Sequence, residues 1–275
     1  MTEPVRDRGQ LAARGRRGER LSDIRVIDVH GHLGDWCKVR MVQSRAQNLV
    51  ARMDSIGIDT VCVSAFLSIT ADWQLGNDLV ADAIREFPGR FIGYATINPN
   101  YPESVLSELC RCFDDLGMRG LKFHPAWHGC PIDAPPYGRA IQFAEDRGAF
   151  VLSHDWGDPA HLEGLAGRYQ KVSFVVAHLA YLPREDALRH SWAAVVRDCP
   201  NVYADLASSI APMGGFEALV DMVGARKVLY GSDAPLHDMA YQIGRVLFAK
   251  MSDEDKADIL GHNLERLIGQ VTDTG

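Results

Sequence analysis

Eight short apolar runs rich in β-branched residues recur along the chain, most of them followed by a longer stretch of helical character. This alternation constrains the fold more than any other feature. The runs span 25–32, 59–66, 91–98, 120–125, 150–156, 173–180, 201–208 and 227–235. Most are near-continuously apolar rather than strictly alternating, the pattern of parallel strands covered on both faces. Between them, 42–56, 72–87, 102–116, 136–147, 183–198 and 214–223 read as helices. Asn100-Tyr101-Pro102-Glu103 and Gly157-Asp158-Pro159 supply helix starts, and Gly57, Gly117 and Gly148 stand where helices should stop. Eight such units in 275 residues match a single closed (β/α)8 barrel, which takes roughly 250 residues, better than an open doubly wound sheet. No strand run leads into G-x-G-x-x-G or a P-loop, so nucleotide binding has no support.

The barrel is expected over 25–270, with 252–269 as one or two terminal helices packing across it. Residues 1–24 differ: Arg6, Arg8, Arg14, Arg16, Arg17 and Arg20 interrupt Gly and Ala with hardly any large apolar side chain. A flexible basic tail is the expectation there, because such a segment buries too little to order itself. Net charge is −7, which speaks against nucleic acid or an anionic membrane as partner. No apolar run approaches the roughly 18 residues of a membrane span, and no signal-peptide core stands at the N-terminus. Six cysteines are scattered without a C-x-x-C pair, and Cys110-Arg111-Cys112 has the wrong spacing for a zinc knuckle. A cytoplasmic protein with reduced thiols is expected.

Barrel chemistry gathers at the C-terminal ends of the strands. The first run ends in His30-Gly31-His32; residues i and i+2 of a strand share a side, so both imidazoles face one point. The fourth ends in Lys122-Phe123-His124-Pro125, the fifth in Ser153-His154-Asp155-Trp156, the sixth in Val176-Ala177-His178 and the eighth in Gly231-Ser232-Asp233. An isolated His-x-His more often hydrogen-bonds in place; five histidines at strand ends form a pattern that chance does not readily explain.

With this set in order, the chain resembles the amidohydrolase superfamily, specifically the amidohydrolase-2 branch that includes aminocarboxymuconate-semialdehyde decarboxylase-like enzymes. The resemblance covers nearly all of 25–270 and extends to the closing Ile259-Leu260-Gly261-His262-Asn263 stretch. It implies a distorted (β/α)8 TIM barrel in one domain, holding one divalent metal ion. The ligands it implies are His30, His32, His154 and Asp233. His178 becomes the catalytic or substrate-polarising residue, close enough to approach the metal. Three imidazoles and a carboxylate suit Zn²⁺ first, with Mn²⁺, Fe²⁺ or Co²⁺ tolerated. An open position on such an ion lowers the pKa of water towards neutrality, with Asp233 placed to take the proton and His178 to shuttle it. Gly231 leaves room beneath the metal.

Several other residues carry a plain reading beside a functional one. Lys122 points inward with His124; a bond to a neighbouring carboxylate is the plain reading, a carboxylated lysine holding a second metal the other. His124, Trp127 and Trp156 are the expected substrate contacts, with Trp36 nearby, since aromatic side chains on strand-to-helix loops suit a planar substrate. Arg40, Arg45 and Arg184 have the chemistry to grip a carboxylate, although surface helices carry many idle arginines. Asp28 reads as a structural partner one layer below His30, and Asp155 and Asp205 as acceptors orienting ligand imidazoles or as helix caps. His128, His161, His190 and His237 read as loop or surface residues, with His237 nearest the site. The function expected first is metal-dependent hydrolysis of an amide, lactone or ester bond in a small molecule. The alternative is metal-dependent non-oxidative decarboxylation of an unsaturated or aromatic acid. A non-catalytic binding barrel is the reading from another class, and all five strand-end positions being present argues against it. Homodimers are common among such barrels, but no segment of the sequence marks an interface.

Overall fold

The computed structural model describes residues 9–181, 187–208 and 211–272. Eight strands form one parallel sheet in sequence order: β1 (Ile27–Leu33), β2 (Thr60–Ala65), β3 (Phe91–Thr96), β4 (Gly120–Phe123), β5 (Phe150–Ser153), β6 (Ser173–Val176), β7 (Val202–Asp205) and β8 (Val228–Leu229). Hydrogen bonds between the ends of β1 and the chain after β8 complete the ring: Val29 N–H donates to Tyr230 O (2.8 Å), Asp233 N–H to His30 O (2.7 Å) and His32 N–H to Ala234 O (2.7 Å). Helices cover the outside, so the strands are buried on both faces, which is why their sequences run apolar without alternation. The molecule is a (β/α)8 barrel in a single domain.

The inside of the barrel is filled by Ile27, Val29, Cys62, Tyr94, Phe150, Leu152, Val175 and Leu229. Leu264 and Leu267 join that cluster from the closing helix Asn263–Thr272, as expected of a terminal helix across the barrel. Gly57 and Gly148 end their helices in the left-handed conformation, with φ of 82° and 60°, and Asp158 caps the helix Pro159–Arg168 by accepting from His161 N–H. Helices Phe66–Thr70, Pro125–His128 and Met239–Phe248 have no counterpart in the sequence reading.

The basic N-terminal segment departs from its expectation over 9–24. Gly9–Arg16 is a helix whose Leu11 and Ala12 are buried, and Asp253 Oδ2 accepts from Gln10 N–H (2.6 Å) and Leu11 N–H (3.3 Å). Arg14 pairs with Asp23 and Arg20 with Asp59, at 2.6 and 2.7 Å. Few apolar side chains suffice because the arginines find acids and the helix N-terminus finds a carboxylate. Among the described residues no helix is long and apolar enough to cross a membrane.

Candidate metal centre

The site begins with an irregularity in β1. Its register against β2 shifts between Asp28 and Gly31, because His30 N–H donates to the Asp28 carboxylate (2.9 Å) rather than continuing the ladder. Asp28 Oδ1 also accepts from Ser232 N–H (2.9 Å), so one carboxylate stitches the ends of β1 and β8 together. Bulges of this kind re-aim a side chain, and His30 is turned fully into the barrel mouth, with no solvent exposure. Gly231 leaves room beside it: a Cβ there would come within 3.1 Å of both His30 Cβ and Ala207 Cβ, which would have to give by a few tenths of an ångström.

Each ring is then fixed by a partner. His30 Nδ1 lies 2.7 Å from Asp205 Oδ2 at the end of β7. The carboxylate therefore holds the proton on Nδ1 and leaves the lone pair on Nε2. Asp205 Oδ1 accepts from His178 N–H (2.7 Å) and Ala207 N–H (3.1 Å). His178 Nδ1 is hydrogen-bonded to the Ala207 carbonyl, an acceptor, so its Nε2 also carries the lone pair; it lies 3.2 Å from His154 Nε2. His32 Nδ1 lies 3.0 Å from Ser64 Oγ, and its Nε2 3.2 Å from Asp233 Oδ1. Asp233 Oδ1 is also 3.5 Å from His30 Nε2. His178 and Asp233 have φ of 61°, the only positive values outside glycine among the described residues. Strain of this kind persists where surrounding bonds impose it, here the Asp205 carboxylate and the His30 carbonyl.

Two groups of ligating atoms result, each within 4.8 Å: His30, His32 and Asp233, and His30, His154 and His178. His30 belongs to both. Burial, helped by the nearby Lys122 charge, holds His30 and His154 well below the usual histidine range and lowers His32. Burial alone would raise Asp233, but its close contact with His32 (Nε2 to Oδ1, 3.2 Å) leaves it lowered. Neutral imidazoles around an ionised carboxylate are the protonation states that metal ligation needs. Asp233 Oδ1 is buried and makes no aligned hydrogen bond, so the cluster presents lone pairs with too few donors. That deficit, with this donor set, fits a divalent cation.

The remaining sequence candidates divide. His124 stacks on His154 (ring centroids 4.1 Å apart) and lines a small cavity of about 70 Å³ with His32, Trp36, Phe66, His154 and Asp233. Trp127 stands behind Trp36, edge to face at 4.6 Å, at the rim rather than in that cavity. Trp156 is corrected: it is buried on the outer side of the sheet against Phe123 and Phe174, its Nε1–H donating to Val175 O (3.0 Å). β5 ends at Ser153, whose hydroxyl bonds Asp155 O, and the chain after it turns the indole against the sheet instead of into the pocket. Asp155 accepts from Gly157 N–H (2.8 Å) and serves its own turn; orienting an imidazole falls to Asp205. Lys122 points inward as read, but its partner is His30 Nε2 at 2.7 Å and not a carboxylate. Arg40 lines a second cavity of about 310 Å³ between the helix Ala46–Ile56 and the loop after β8. His237 lines it too and reaches within 3.8 Å of Asp233 Oδ2. Arg45 is exposed at a helix start, and Arg184 lies outside the described residues. Phe66, stacked on His32 at 4.3 Å, is the site residue the sequence reading missed; its place after the last apolar residue of β2 was the available signal.

A (β/α)8 barrel with a His/Asp metal site at the C-terminal ends of its strands defines the class of enzyme. The chain belongs to the amidohydrolase family, whose model matches residues 27–270. It is 22% identical over 243 residues to 2-amino-3-carboxymuconate-6-semialdehyde decarboxylase of Dictyostelium discoideum, a match covering 71% of this chain and 66% of that protein. Among solved structures it is similar to a dihydroxybenzoic acid decarboxylase from Polaromonas sp. JS666 with bound manganese (TM-score 0.71, 15% identity, covering 90% of this chain and 97% of the other). It is also similar to a probable 2-pyrone-4,6-dicarboxylic acid hydrolase from Acinetobacter baumannii (TM-score 0.65, 17% identity, covering 90% and 100%). Both likenesses place the fold. The family is metal-dependent, and its members are hydrolases or decarboxylases.

Proposed function

We propose that the protein is a metal-dependent decarboxylase of a small unsaturated or aromatic carboxylic acid. The observation that carries this reading is the apolar wall of the cavity over the ligands: Trp36, Phe66, Ile69 and Leu236 face His32, His124, His154 and Asp233. Loss of CO₂ spreads carboxylate charge into a π-system, which a dry apolar surface favours over the hydrated ground state. The Dictyostelium relative is named for a reaction of this kind. His30, His32, His154 and Asp233 are the proposed ligands of one ion, Zn²⁺ first on its donor set, with Mn²⁺ supported by the Polaromonas neighbour. When bound, that ion supplies positive charge to a substrate oxygen.

The chain's own residues do the rest. Trp36 and Phe66 hold the planar body of the substrate. Departure of CO₂ leaves the bonding pair on carbon; the His178 Nε2 lone pair takes a proton from water and passes it to that carbon to close the new C–H bond, with the Ala207 carbonyl keeping that nitrogen turned inward. Asp233 is the second group that handles protons. Six free cysteines go with a reducing compartment such as the cytoplasm. The test is a panel of carboxylated arenes and muconate-like acids run in D₂O beside lactones and amides in ¹⁸O-water. Release of CO₂ with one deuterium at the vacated carbon is expected. Uptake of ¹⁸O without CO₂ would instead establish the hydrolytic reading that the Acinetobacter neighbour supports.

A further inference from the structure

Lys122 is fully buried on β4, and its stem is fixed by parallel pairing to Thr96 on one side and Leu152 on the other. Its Nζ bonds His30 Nε2 at 2.7 Å. Because His30 Nδ1 is committed to Asp205, that Nε2 carries the ring's one lone pair. A cation taken by His30, His32 and Asp233 claims the same lone pair. Lys122 is then a buried donor that has lost its acceptor, and among the described residues no carboxylate lies within ion-pair distance of it. A buried donor without an acceptor is costly whether the amine is charged or neutral. His30, which holds the amine, packs its ring against His32 and His154 (centroids 5.3 and 5.5 Å), both of which line the 70 Å³ cavity, so the freed amine lies one layer beneath a wall of that cavity.

We propose that Lys122 anchors an oxygen of the substrate's carboxylate, making the enzyme selective for an acid group at the reacting position. The inference rests on the metal-centre reading above and names the substrate class for that site. Benzoate and its neutral analogue benzamide are the probes. Their binding is followed by tryptophan fluorescence in protein loaded with one equivalent of Zn²⁺. Wild-type protein is expected to prefer benzoate by about tenfold or more, the scale of a charge-assisted hydrogen bond. Lys122→Met cuts the preference by about tenfold through weaker benzoate binding alone, leaving what the ion contributes, and Lys122→Gln, which keeps a neutral donor, loses less. Chelator competition on the metal-free proteins should show Lys122→Met binding Zn²⁺ at least as tightly as wild type, since a competitor for His30 is gone.

Equal affinity of wild-type protein for the two probes overturns the proposal without recourse to any variant. A benzoate preference undiminished in a folded Lys122→Met does so too. A wild-type mass heavier by one carboxyl group, with two metal equivalents that Lys122→Met loses, would assign the lysine to metal binding instead. If the benzoate preference follows Lys122 but no acid releases CO₂, the anchor stands and the decarboxylase reading falls.

Discussion

The two sides of the barrel mouth are built differently. On the β1, β7 and β8 side every ring has a dedicated partner: Asp205 holds His30 and the backbone of His178, Ser64 holds His32, and Asp28 ties β1 to the chain after β8. On the β4 and β5 side, His124 and His154 stack face to face, and His124 Nδ1 is buried with no partner. The first side fixes which nitrogen faces the centre before any ligand arrives. The second is held by packing, so it can adjust to what enters the cavity. His30 and His32 are thus oriented by hydrogen-bonded partners on one wall, and His154 by its stack on the cavity-lining His124 on the other.

The contrast breaks most severely at the carboxylate that belongs to the centre itself. Asp233→Ala should abolish metal binding and activity, as read by elemental analysis and turnover. Asp205→Asn should come next, since the amide no longer forces a proton onto His30 Nδ1. Metal affinity should fall about 10–100-fold, measured by chelator competition, with the barrel still folded by circular dichroism. Trp156→Ala tests the correction on β5: loss of a buried indole should cost about 3–5 kcal/mol of stability in denaturant titration, with metal stoichiometry unchanged. A substrate-contact role would show in KM instead.

The smallest effect sharpens the packed side. Burial, with the Lys122 charge, pushes His124 down to about 3. The unfolded chain therefore takes up a proton below about pH 6.5 that the folded protein refuses. His124 weakens the fold progressively as pH falls through that window, and His124→Phe removes the penalty. The variant's gain in metal-free stability should be near zero at pH 8 and about 1–2 kcal/mol at pH 5, with metal affinity little altered. A loss of metal comparable to Asp205→Asn would erase the distinction between the two sides.

The same division explains what was legible in the sequence. Strands covered on both faces leave contiguous apolar runs, so all eight were readable, and the i, i+2 rule placed His30 and His32 together. Partners contributed by other strands were harder to read. Asp205 stood as one of two aspartates with the same prospects, and only the fold brings it, 175 residues away in sequence, to His30 Nδ1. Trp156 stands just past the end of β5 at Ser153, as a substrate-facing aromatic would, and only the fold shows its indole packed against Phe123 and Phe174. The helix Met239–Phe248 was hidden behind the apolar end of the β8 run. Its signals were an Asp238 cap and apolar Met239, Ile243, Val246 and Leu247 at helical spacing. Over 9–24 the order of the basic segment is not legible, because composition does not report that Asp253 and Asp59 meet its amides and arginines.

Elemental analysis of the purified protein beside its His30→Ala and Asp233→Ala variants tests whether the barrel mouth holds one divalent ion. About one equivalent of zinc or manganese is expected in the wild type and none in either variant. A wild-type protein that stays metal-free when offered Zn²⁺ or Mn²⁺ would contradict it.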